Sequence, residues 1–498
     1  MNQKKEYLDK CVEQAAEAYQ FLKTTTVRDR AKFMHAVADR IEGIGAELIE
    51  TANRETSLPF PRLEGEKART IWQWRSYGNA ISNGLYSEAR IDLANPEKGK
   101  NDIRKYNLGI GPVVVFGASN FPFAFSTAGG DTASAIAAGC PVIVKGHSGH
   151  EQTSTLMAKA ISEVVQEFGW PEGVFNHVLG SEVEGTKEKI GAYLVAQSGI
   201  KAVGFTGSYW GGKALFDIAN QREEPIPVFA EMGSINPVFA FGHILEEKAE
   251  ALAKEYASSL TLGVGQFCTN PGLFIAVKGE ALERFKVSLQ EAIAEINSAN
   301  MLNQGIYSHY EKNKDLLSNQ SDVAVLSESK SIAESGQGRP RVALTSAANF
   351  LTNEVLAEEV FGPFGLLIEA DSIAEVEKIA QNLKGQLTIT FAGTEKDAEE
   401  NKTIFNIIKD KAGRLLFNGM PTGVEVVYAM QHGGPFPSST DPRFTSVGPD
   451  SIKRFLRPLA FQNWPDQFLP AELKNGNPLA ISRLVDGTST KDSINPNQ

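Results

Sequence analysis

A chain of 498 residues exceeds one ordinary hydrophobic core and calls for two or three domains, or one large α/β unit with additions. Apolar content of 42% and charged content of 22% are those of a soluble globular protein, and a net charge of −11 excludes partners that need a basic face, nucleic acid and anionic membranes among them. Residues 1–20 hold no apolar run of signal-peptide length, and no uncharged stretch of about 18 residues follows, so a cytoplasmic location without a membrane span is expected.

The chain opens with three helical segments, roughly 3–22, 28–54 and 66–87. Their apolar residues recur at three- and four-residue spacing, as in Phe33, Val37, Ile41, Ile44 and Leu48. From 103 to 240, short β-rich runs (PVVVFG, PVIVKG, FNHVLG, KAVGFTG, PVFAEMG) alternate with helical windows at 150–168, 182–191 and 208–220. This alternation predicts βαβ units and a mostly parallel sheet, with a ligand crevice beyond the carboxyl ends of the strands. A second α/β region runs from about 236 to 430, with helical windows at 246–261 and 280–298 and the strand-like runs LLIEA and LTITFAG. From 431 onward Pro, Gly and Ser predict loops and a covering arm.

Cys11, Cys140 and Cys268 are widely separated and odd in number, a poor disulfide framework, and no Cys/His spacing suggests a metal. Cys11 falls in a charged helix and is expected to be exposed, whereas Cys140 in AIAAGCPVIV is expected in the core. Cys268 sits in GQFCTNPG, bracketed by Gly265 and Gly272, with Pro271 ending any element nearby. Such a loop can present both a sulfur and its amide N–H to a ligand, or simply pack a small apolar side chain. Glu231 ends a strand in FAEMGSINP, where burial would raise its pKa toward that of a general base; a salt-bridged strand-end acid is the other reading. Asn120 in VFGASNFPF lies just past a buried strand, placed to donate to an oxyanion or to shape a turn. Lys145 ends PVIVK as a surface charge or a contact to sugar hydroxyls. Ser208 opens a helix whose first amides can hold a pyrophosphate, although the GxGxxG pattern is absent.

In this order, FGASNFPF, PVIVKGHS, FTGS with Gly211 and Gly212, AEMGSINP, GQFCTNPG and EEVFGP resemble the aldehyde dehydrogenase superfamily over roughly residues 5–470. GQFCTNPG, EMGSINP and the tail MQHGGPFPSSTDPRFTSVG are most similar to its bacterial 2-oxoglutarate semialdehyde (2,5-dioxopentanoate) dehydrogenase branch, with NADP-preferring fatty aldehyde dehydrogenases close by. The resemblance implies an α/β fold with a Rossmann-like cofactor domain (1–123 and 143–232) and a second α/β catalytic domain (233–430). It also implies a small oligomerisation element (124–142 and 431–498), hence a homodimer or homotetramer. The implied reaction is NAD- or NADP-dependent oxidation of an aldehyde to an acid, the aldehyde being one formed in sugar-acid or hydroxyproline breakdown. Cys268 is the implied nucleophile, Asn120 and the Cys268 N–H the oxyanion donors, and Glu231 the base that activates water. Lys145 is implied to contact the adenosine ribose, Gly207, Ser208 and Gly212 the pyrophosphate, Glu359 the nicotinamide ribose, and Phe361 the neighbouring ring.

Two departures stand out. Ser148 replaces the glutamate that many NAD-preferring relatives carry, so a 2′-phosphate is not repelled and NADP is favoured, with Lys187 a candidate clamp. Ser234-Ile235 stands where many members have Gly-Lys. For substrate, Arg443 is a candidate partner for a far carboxylate, while Phe123, Phe267 and the tail aromatics could line an apolar channel for a fatty or aromatic aldehyde. A thiol hydrolase or acyltransferase would need Cys268 paired with a histidine, and none of the seven histidines sits in a recognisable motif for it.

Overall fold

Each of the five β-rich runs in the first α/β region becomes a strand of one all-parallel sheet. Its spatial order is Phe175–Val178, Val142–Lys145, Val113–Phe116, Ala202–Thr206, Val228–Glu231. Apolar clusters cover both faces of the central strands, which is why they read as continuous Val/Ile runs and not as alternation. The strand order reverses between Val113–Phe116 and Ala202–Thr206, and this switch point places a crevice beside residues 117–120 and 207–208. The computed structural model describes residues 3–183 and 188–495, and no helix among them is long and apolar enough to cross a membrane.

The N-terminal helices differ from expectation at their ends. The 28–54 segment forms two helices, Val27–Gly43 and Ala46–Thr56, because Ile44 turns extended and Gly45 caps the second. The third helix starts earlier, at Phe60–Ser82, with Pro61 in its first turn, where a missing N–H is harmless. The 182–191 window instead shows a bridge between Glu182 and Lys189, followed by a helix at Ile190–Ala196. Lys187 lies outside the described residues. Cys140 is fully buried as expected. Cys11 is buried too, since its helix turns an apolar stripe containing Leu8, Val12 and Ala15 onto the sheet.

The second α/β region builds a seven-stranded sheet, ordered Val323–Glu328, Arg341–Ser346, Phe364–Ala370, Leu273–Val277, Val238–Ala240, Gln386–Ala392, Ala412–Phe417. All neighbours are parallel except the first pair. A third sheet holds the far part of the tail. Tail strand Leu456–Gln462 pairs with Ile103–Gly109, which continues to Arg90–Asp92. Segment 124–142 holds the helix Gly130–Ala138, whose small side chains let it sink entirely into the core. The tail is also more than loops. Residues 438–440 run along the edge strand Val228–Glu231, with Met232 N–H donating to Ser438 O at 2.8 Å and Thr440 N–H to Ala230 O at 3.1 Å.

The tail is locked to the buried helix by an ion pair, Arg454 Nη2 to Asp131 Oδ1 at 2.7 Å. Burial pushes the Asp131 pKa up and Arg454 opposes it. Arg454→Met should therefore leave a buried uncompensated carboxylate and cost about 3–5 kcal/mol, read as an earlier urea unfolding midpoint.

Candidate active site

Three side chains from distant parts of the chain meet at the carboxyl end of the first sheet. His432 Nε2 lies 2.9 Å from Glu231 Oε1 and 3.3 Å from Cys268 Sγ. Ser446 Oγ lies 2.5 Å from Glu231 Oε2, to which it donates, and 3.0 Å from His432 O, so the acid and the histidine backbone converge on one hydroxyl. Glu231 and His432 are buried, while Cys268 keeps some exposure. Burial alone would raise the Glu231 pKa, but His432, Ser446 and the Cys268 thiol together bring it below the usual carboxylate range. The Cys268 thiol moves the other way, pushed well up by burial and by the adjacent Glu231 charge. An ionised Glu231 sets the histidine tautomer, with the proton on Nε2 facing the carboxylate. His432 Nδ1 is then a buried lone pair, without a partner among the described residues. The donor atoms of the trio lie within 4.8 Å of one another, a set that also suits a divalent cation.

The cysteine loop is held from behind. Gln386 Oε1 accepts from Ser234 Oγ and Ile235 N–H at 2.9 Å and from Asn236 N–H at 3.2 Å. This fixes Asn236, whose Nδ2 donates to Cys268 O at 2.8 Å and to Asn270 O at 2.9 Å. Residues 263–265 all take left-handed backbone, including the β-branched Val264 at φ 59°, a conformation that persists only where its surroundings enforce it. A Cβ at Gly265 would stand 2.3 Å from the Gly362 carbonyl, so only glycine lets the two loops touch. On the open side, Asn120 Nδ2 donates to Gln266 O at 3.0 Å, which leaves its second N–H available beside the Cys268 loop.

A cleft runs from this loop past Ser234, Phe267, Asn270, Glu359 and Phe361. Burial raises the Glu359 pKa to about 7, opposed by a hydrogen bond from the Ser234 backbone. Gly233 permits this approach, since a Cβ there would lie 2.2 Å from Glu359 Oε2.

Comparison with known proteins shows the family. The aldehyde dehydrogenase family model matches residues 1–458. The chain belongs to the aldehyde dehydrogenase family. It is 44% identical over 483 residues to alpha-ketoglutaric semialdehyde dehydrogenase 2 of Azospirillum brasilense, covering 96% of this chain and 91% of that one. The alpha-ketoglutaric semialdehyde dehydrogenase of Acinetobacter baylyi is also 44% identical, over 97% and 92% of the two chains. Among solved structures, 1-pyrroline-5-carboxylate dehydrogenase from Thermus with bound NAD superposes with a TM-score of 0.75 over 92% of this chain and 86% of that one, at 20% identity. The chain is thus an NAD(P)-dependent aldehyde dehydrogenase with a Rossmann-type domain and a second α/β domain.

The remaining expected residues of this aldehyde dehydrogenase divide into two groups. Lys145 ends its strand half-buried, and burial lowers its pKa against the pull of Glu151. Ser148 is exposed in the turn that follows. Ser208 caps helix Tyr209–Asn220 by accepting the Gly211 N–H at 3.3 Å, beside Gly207; Gly212 lies buried against Met232. With the buried carboxylate of Glu359, this is a donor and acceptor set that fits a dinucleotide. The substrate candidates fare differently. Phe267 lines the cleft, but Phe123 is wholly enclosed in the core, because its N–H is drawn inward by Glu66 Oε1 at 2.8 Å. Arg443 is on the surface, held by its neighbour Asp441. His432, Ser446, Asn236 and Gln386 were not singled out by sequence, and His432 lies against Cys268 although no histidine sits in a recognisable motif for it. Its only signal was its place in MQHGGPF.

Asn236→Ala should unpair the carbonyls of Cys268 and Asn270, costing about 2–4 kcal/mol of stability and on the order of tenfold in kcat. Thermal melting and steady-state turnover check both.

Proposed function

We propose that this enzyme oxidises 2-oxoglutarate semialdehyde to 2-oxoglutarate through a thioester on Cys268, with NADP preferred over NAD. The observation that carries the reading is the 44% identity to two alpha-ketoglutaric semialdehyde dehydrogenases over more than nine-tenths of each. In the mechanism we favour, the Cys268 proton passes to Glu231, which is held ionised beside it. Once Glu231 is neutral, the His432 Nε2–H loses its acceptor and faces the new thiolate at 3.3 Å instead. The sulfur then bonds to the aldehyde carbon, and Asn120 with the Cys268 N–H receives the charge on oxygen. When bound, the dinucleotide supplies the hydride acceptor; Glu359, Lys145 and Ser208 would hold it. Glu231, its proton released, takes a proton from the water that cleaves the thioester, and Ser446 keeps its carboxylate aimed. The exposed Ser148, with no carboxylate at its position, supports room for a 2′-phosphate. Exposed Ile103, Trp464 and Phe468 at the third sheet support a homo-oligomer assembled there.

A panel of aldehydes run with both cofactors tests the assignment. The highest kcat/KM is expected for 2-oxoglutarate semialdehyde with NADP; preference for long-chain or aromatic aldehydes, or for NAD, refutes the corresponding half. For the mechanism, Glu231→Gln should abolish steady-state turnover and slow the burst of reduced cofactor as well, because the same carboxylate takes the thiol proton and activates water. His432→Asn should slow the burst itself by roughly 10²–10⁴-fold, as stopped-flow absorbance would show.

A further inference from the structure

Helix Phe60–Ser82 carries Arg62, Glu66, Arg69 and Gln73 at intervals of four, three and four, which aligns them on one face. That face meets the segment after Asn120. Glu66 Oε1 accepts the N–H groups of Phe123 and Ala124 at 2.8 and 3.0 Å, and Gln73 Nε2 donates to Ala124 O at 3.2 Å. Arg62 is committed there as well, donating to Asn120 O at 2.8 Å and lying 4.6 Å from the ring centres of both Phe121 and Phe267.

Arg69 is different. Its Nη1 donates to Val424 O at 2.5 Å, but Nε and Nη2 are shut off from water and have no partner among the described residues. Those two N–H groups point the same way and form the edge of a guanidinium that grips a carboxylate with two parallel bonds. The chain uses this edge elsewhere. Arg104 donates from Nε and Nη2 to the two oxygens of Asp102 at 2.9 and 3.0 Å, and Arg443 does the same to Asp441. Glu66 does not serve Arg69 in this way, since its Oε2 is itself without a hydrogen-bond partner among the described residues. Two buried N–H groups of a charged guanidinium without an acceptor are costly, and a carboxylate placed on this edge would satisfy them both.

The edge also lies near the nucleophile. The Arg69 guanidinium sits 5.3 Å over the Phe125 ring, which is 6.3 Å from the His432 ring, and its charge acts on both Cys268 and Glu231. Arg414 reaches the same region from strand Ala412–Phe417. It donates to Pro421 O at 2.8 Å and Gly423 O at 3.2 Å, has Nε buried without a partner among the described residues, and acts on Cys268 through its charge. The bond from Trp72 Nε1 to Val426 O, at 3.3 Å, joins that of Arg69 in fixing the helix to this segment, so the edge is preorganised.

We propose that the Nε–Nη2 edge of Arg69, assisted by Nε of Arg414, holds the far carboxylate of an aldehyde acid while its aldehyde carbon lies at Cys268. The inference rests on the substrate reading above. In 2-oxoglutarate semialdehyde four bonds separate the two carbons, roughly 5 Å when extended, a span suited to cations whose field reaches the thiol.

The test compares kcat/KM for 2-oxoglutarate semialdehyde and for pentanal, a neutral aldehyde of equal length, in the wild type, Arg69→Gln and Arg69→Lys. The wild type is expected to prefer the acid. In Arg69→Gln the acid-to-pentanal ratio should fall by roughly 30-fold or more, mainly through KM. Arg69→Lys should restore only part of it, because an ammonium keeps the charge and lacks the two-pronged edge. A ratio unchanged in both variants overturns the Arg69 assignment and leaves the substrate reading standing. Equal losses on both aldehydes do the same, marking a merely structural arginine. A wild type that prefers pentanal overturns the substrate reading and this inference together. If Arg69→Gln fails to fold, as cofactor affinity would show, Arg69→Lys carries the same ratio test.

Discussion

One carboxylate, 4% exposed, has to stay ionised at the centre of this protein. A buried Glu231 without partners would take up a proton and lose its use as a base. Donors keep it charged, and they come from two distant stretches: the Cys268 thiol from the catalytic domain, the His432 ring and the Ser446 hydroxyl from the tail. Much of the architecture reads as a means of delivering those donors. The tail crosses from the seven-stranded sheet to the edge of the five-stranded one, lies along Val228–Glu231, and is anchored beyond by Arg454 on Asp131.

The loop on the other side of the sulfur is governed by a different need, rigidity. Left-handed backbone at 263–265 turns the chain into the Cys268 loop, and Val264 would not adopt it unaided. The Gln386 and Asn236 amides, buried between the strands and the loop, fix the conformation by satisfying one backbone group after another. Buried amides of this sort specify one arrangement, because any other leaves them unpaired. Ser234 belongs to the same network, so the departure from the commoner Gly-Lys pair is a matter of scaffolding here.

The legible parts of the sequence were those with local causes. The five parallel strands announced themselves as Val/Ile runs ending in glycine turns, and Asn120, Glu231, Cys268 and Glu359 were each marked by a motif in which the neighbours matter. What stayed hidden depends on distance along the chain. His432 lies 164 residues from Cys268, and nothing around it distinguishes a ligand of the thiol from a loop histidine. Arg443 looked available because its partner, Asp441, is two residues away and counts as nothing in a motif search. Arg69 looked like one more charge on an amphipathic helix; only the packing of Val424 and Phe125 around it shows which N–H groups remain. The break at Ile44–Gly45 and the pairing of Leu456–Gln462 with Ile103–Gly109 were missed for the same reason, since registers and caps are decided by tertiary neighbours.

The distance from Cys268 to His432 has a consequence for biosynthesis. A ribosome adding about 5–20 residues per second exposes the cysteine roughly 10–30 s before the histidine that will face it, as the two are 164 positions apart. During that interval the nascent thiol has neither the Ser446-braced carboxylate nor the imidazole beside it, so neither a positioned base nor a donor assists it. The site is thus completed late, when the segment carrying His432 and Ser446 docks on the strand that ends in Glu231.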